Sequence, residues 1–113
     1  MLRVIIAAGM IAFSLPKFAV GLTEDALCSE MMKAARRHSE MELLRFAEYV
    51  VDTFWSMDRE ETAAGRVGIM DLMSRAEIGT MVADTAAVCR KDPRATIRVA
   101  ATVVFLTTLH GSP

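Results

Sequence analysis

The stretch SRAEIGTMVADTAAVCRKDP, residues 74–93, decides the fold class. Ser74 and Glu77 have the spacing of a capping box, in which the hydroxyl takes an amide three residues on and the carboxylate reaches back to the cap. From there Ile78, Met81, Val82, Thr85 and Cys89 recur at i, i+3, i+4, i+7 and i+11, the stripe of an amphipathic helix. Asp92-Pro93 stops that helix and is expected to start the next, with Asp92 as cap and Pro93 at the first helical position.

Upstream, the same signals predict two further helices. Thr23 caps the first in this reading, with Glu24 and Asp25 at the positive end of its dipole. Cys28, Met31, Met32 and Ala35 then mark its inner face. Ser39-Glu40-Met41-Glu42 fits a second capping box, and Leu43, Phe46, Ala47, Val50, Phe54 and Met57 line one face of a helix ending near Met57. Neither Gly nor Pro separates these two, so a single long helix stays open. Residues 58–73 read as a connecting loop that begins charged and ends apolar, with Gly65 and Gly68 as breakers and Asp58-Arg59-Glu60-Glu61 as a solvated turn.

Downstream, residues up to Leu109 are rich in Ile, Val and Thr, which suits a strand by propensity. Length and the spacing of Ile97, Ala100, Ala101, Val104 and Thr108 favour a helix, ended by Gly111. Val99 to Leu106 is apolar nearly all round, so this helix is either buried on several sides or carries a binding surface. The expected architecture is a small all-α domain of four helices.

Residues 1–21 follow the layout of a secretory signal: Arg3, an apolar run from Val4 to Leu15, and small residues at Ala19 and Gly21. The apolar run falls short of the ~20 residues a bilayer crossing needs, so no stable membrane span is expected; a retained anchor is the alternative. The domain would then occupy residues 22–113, in the periplasm or outside a bacterial cell. Without Arg3 and Lys17, 11 basic side chains face 14 acidic ones, a net charge of −3. That balance, with no basic stripe, argues against a nucleic-acid partner. No Asn occurs, which rules out N-glycosylation.

Export would carry Cys28 and Cys89 into an oxidising compartment, where two cysteines favour a structural bridge over reactive thiols. Both fall on core-facing stripes, though spacing alone does not show that their sulfurs meet.

Cys89-Arg90-Lys91-Asp92-Pro93-Arg94-Ala95-Thr96 resembles the Cys-x-x-Asn-Pro-x-Ala-Thr stretch of the HdeA/HdeB family of small periplasmic acid-stress chaperones, with Asp92 where Asn is usual. The export leader, the early cysteine and the helix-rich middle match that family's layout. The resemblance implies that Cys28 and Cys89 form the family's disulfide. It also implies a domain quiet at neutral pH that loosens in acid and holds unfolding, acid-damaged clients. The residues expected to touch a client or a second copy are Phe46, Val50, Phe54, Trp55, Val103, Val104, Phe105 and Leu106. Trp55 suits core packing and a homodimer patch equally. A dedicated partner bound at neutral pH is the alternative use of the same apolar surfaces.

No catalytic constellation stands out, and neither an enzyme activity nor a cofactor is expected. His38 and Glu42 lie four apart without a third ligand nearby. Gly65-Arg66-Val67-Gly68 is too short for a phosphate loop and lacks its Lys-Ser/Thr. The cysteines sit on apolar stripes, where burial raises a thiol pKa and blunts a nucleophile. The methionines at helical spacing are most simply core filler, although they suit adaptable apolar contacts.

Overall fold

The computed structural model describes residues 26–111. Four helices make up this part of the chain: α1 (Cys28–Arg36), α2 (Glu40–Ala63), α3 (Arg75–Lys91) and α4 (Ile97–Leu109). Among the described residues there is no strand, only an isolated antiparallel bridge between Leu27 and Thr96. The all-α expectation is met. The proposed leader and the Thr23 cap lie outside the described residues.

The start of α1 differs from the expectation. It begins at Cys28, with Leu27 as cap residue. A tertiary contact replaces a local hydroxyl: the Cys28 amide donates to Ala95 O and the Ser29 amide to Pro93 O, both at 2.9 Å, while Ile97 N–H returns to Ala26 O. Backbone of the α3–α4 link thus satisfies first-turn donors that a helix leaves open. The inner face is Cys28, Met31 and Ala34, with Met32 half-buried; Ala35 faces solvent, contrary to the expected stripe.

His38 settles whether α1 and α2 are one helix. It adopts φ 54°, in the left-handed region, and the chain turns there without Gly or Pro. Ser39 then caps α2 by accepting the Glu42 amide. Only half of the expected box forms, because the Glu42 carboxylate is taken by Arg37.

α2 runs six residues beyond Met57, to Ala63, so Asp58-Arg59-Glu60-Glu61 is helical and the solvated-turn reading is corrected. Asp58 extends the Val50–Phe54 face by one more turn and is buried. After Gly65 (φ 84°) the chain passes through a short 3-10 turn at Met70–Leu72 before α3. Both halves of the α3 capping box are present: Glu77 N–H donates to Ser74 Oγ at 3.1 Å and Ser74 N–H to Glu77 Oε1 at 2.8 Å.

Asp92 ends α3 rather than starting α4. The cap of α4 is Thr96, whose hydroxyl accepts the Val99 amide at 3.1 Å. The Pro93 and Ala95 carbonyls serve the start of α1 and the Ile97 amide returns to Ala26, so the link stays extended and α4 begins only at Ile97.

The core gathers Met31, Phe46, Val50, Phe54, Met70, Met81, Ile97 and Phe105 around the paired cysteines. α4 packs on α3 and on α2. The Phe54 and Phe105 rings stack with centroids 6.4 Å apart and planes 24° from parallel, an arrangement that adds to simple area burial.

Candidate functional site

α4 holds one charged side chain, Arg98, in thirteen residues. Such a helix has too little polar surface to cover its outer side. Ile97, Ala100, Ala101, Val104 and Phe105 are buried against the other helices. Val99, Val103 and Leu106 fall together on the opposite side, 54%, 47% and 40% exposed, at i, i+4 and i+7. Beside them Asp84 and Val88 of α3 meet Val103, Val104, Thr107 and Thr108 of α4 in a shallow groove of about 190 Å³. This uncharged strip is the apolar surface that α4 offers in the folded state.

The expected contact residues divide sharply. Phe46, Val50, Phe54, Val104 and Phe105 are core residues, inaccessible while the domain stays closed. Trp55 is half-buried and packs against the core cluster. Val103 and Leu106 alone of the eight are exposed. On α2, Met41 and Leu44 are exposed near the helix start, and sequence reasoning did not single them out for contact.

Cys28 and Cys89 are joined in a disulfide, fully buried, with Cα atoms 4.9 Å apart. The bond ties α1 to α3. Among the described residues no covalent link joins α2 to α4.

Two ion pairs sit at the two ends of α2. Arg37, before the helix, holds Glu42. Arg66, after it, donates to both carboxylate oxygens of Glu61 at 2.7 and 3.1 Å. The hydrogen bond from Arg66, helped by its charge and by His110, holds the Glu61 carboxyl below its ordinary value, and Glu61 raises Arg66 in return. The stability carried by a carboxylate with a lowered folded pKa is present above its unfolded value and disappears as pH falls through the folded one.

Asp58 is the feature that the sequence reading missed. It is 4% exposed, and its Oδ1 accepts the Ile69 amide at 2.7 Å. No ion pair reaches it among the described residues. The available signal was the i, i+4, i+8 series Val50, Phe54, Asp58, which places the carboxylate on the core face.

A second groove of about 350 Å³ lies between α2 and α4, lined by Tyr49, Asp52, Thr53, Ser56, Met57, Glu60, Arg98 and Thr102. No histidine is among its lining residues. Among the described residues no three His, Cys, Asp or Glu side chains converge as metal ligands, and no helix is long and apolar enough to cross a membrane. Comparison with protein-family models, curated proteins and solved structures finds no match to this chain.

Proposed function

We propose that this protein is an exported, non-enzymatic module that holds unfolding proteins and is opened by acid, the role implied by its resemblance to HdeA-like chaperones. One observation carries the reading: an ion pair clasps each end of α2, the helix that supplies Phe46, Val50 and Phe54 to the core. Each clasp depends on a carboxylate. α2 itself bears Glu40, Glu42, Glu48, Asp52, Asp58, Glu60 and Glu61 against Arg45 and Arg59.

Exposed ion pairs contribute little singly. The trigger is their loss together with a swing of the whole charge. With all carboxylates protonated, 11 Lys and Arg plus His38 and His110 leave the domain, counted from residue 22, at +13. Self-repulsion on that scale loosens a compact state. The bond between α1 and α3 limits how far the chain opens, so α2 and α4 part while the other pair stays joined.

The test titrates the purified, disulfide-bonded protein from pH 7 to 2. At each step dye binding to apolar surface and suppression of aggregation of an acid-sensitive client are measured. The expected result is that both rise together below about pH 4, where carboxylates protonate. A compact, dye-silent protein that protects nothing at pH 2 sinks the reading.

The strip Val99, Val103 and Leu106 favours a second reading, a dedicated protein partner or a second copy bound at neutral pH, because it is already exposed. Saturable binding near pH 7 that weakens on Val103→Asp selects it.

A further inference from the structure

The connection between α2 and α3 is unusually apolar for a segment lying over a surface. Val67, Ile69, Met70, Leu72 and Met73 make up five of seven consecutive residues. Two of them, Val67 and Leu72, point outward at 78% and 79% exposed. Met70 is fully buried in the cluster that contains Phe54 and Phe105, with Ile69 and Met73 packed partly against it. The segment therefore closes the core with some of its side chains and displays the others to solvent.

Besides the burial of Met70, one non-local hydrogen bond holds it down. The segment's own bonds are local: Leu72 N–H to Ile69 O and Met73 N–H to Met70 O. The bond that ties it to α2 is Ile69 N–H to Asp58 Oδ1 at 2.7 Å. Gly68 makes this approach possible: a Cβ there would lie 2.6 Å from Asp58 Oδ2 and 2.9 Å from Oδ1. One carboxylate and one missing methyl group thus set the closed position that seats Met70 in the core.

We propose that residues 67–73 are a strap latched by Asp58, and that this strap is the first apolar surface the fold releases as it loosens. Freed from the latch, it presents five apolar side chains, two of them methionines that adapt to irregular partners. It also uncovers the socket that Met70 fills in the core. Local openings of this kind occur where few bonds hold a segment and surrounding elements stay closed. The use of such a surface rests on the client-holding reading; the latch does not.

Native-state hydrogen exchange at pH 7 on the oxidised protein tests this. In Asp58→Ala the Ile69 amide loses its acceptor, and in Gly68→Ala the new methyl group pushes the latch apart. Exchange at Ile69 and Met70 is expected to rise about tenfold or more in both, with dye binding appearing at pH 7 and exchange near Cys28 and Cys89 unmoved. Asp58→Asn keeps an acceptor and is expected to stay near the parent. Strap exchange unchanged in the first two variants, or rising equally throughout the molecule, overturns the latch. Should both fail to fold, the parent protein decides in low denaturant. Strap amides that exchange through a local opening ahead of α3 support it, and amides that follow global unfolding overturn it. Client holding is scored separately: a latch that behaves as expected in a protein that protects no client removes the chaperone reading alone.

Discussion

His38 shows how one residue can take a bend that a glycine would take more cheaply. A left-handed conformation costs an L-residue roughly 1–2 kcal/mol, whereas glycine enters it freely but loses more freedom on folding. The balance makes His38→Gly stabilising by about 0.5–1 kcal/mol, read from urea unfolding midpoints, while His38→Val is destabilising because a β-branched residue resists that geometry. An unchanged midpoint in both variants would show that the corner is not held at φ 54° in solution. The sequence reading placed the break ahead of Ser39 but not the left-handed residue that makes it, because no glycine marks the position. Asp58 escaped for a related reason: its acceptor role depends on Ile69, eleven residues away, and a buried carboxylate looks like a surface one until its partner is known.

The starts of α2 and α3, set by neighbours in sequence, were legible, and the start of α1, set by distant backbone, was not. Ser74 and Glu77 satisfy each other across three residues, so α3 could be placed to the residue. α1 could not, because its first amides are met by Pro93 and Ala95. The same docking claims the residues on which an earlier start of α4 would depend, leaving the cap to Thr96. At the far end of α2, the Glu61–Arg66 pair makes a pH prediction. Glu61 has a folded pKa below its unfolded one, so Arg66→Ala is expected to lower stability at pH 7 and leave it unaltered at pH 2, where the pair is lost in either protein. Denaturation curves at the two pH values check this, and an equal effect at both would assign Arg66 a packing role.

At the scale of the molecule, the disulfide spans a separation of 61 residues. Closing a loop of that length contributes about 4 kcal/mol through the unfolded chain, a large share of the stability of a domain this size. Cys28→Ser with Cys89→Ser is expected to lose about that amount in urea unfolding, and reductant should shift the parent protein alone. The candidate site was legible only in part at this scale. Composition showed that α4 was apolar all round, but assigning Phe105 to the core and Val103 to the surface required knowing which sides α2 and α3 cover.

The pairing of Ala26 to Ser29 with residues 93–97 also dictates an order of assembly. Synthesis delivers the first of these segments long before the second. α2 and α3 can begin to coil as they appear, but α1 has no seat until the α3–α4 link exists. Contacts so far apart along the chain close slowly. The nascent domain therefore remains open until the α3–α4 link has emerged and only the last helix is still to come.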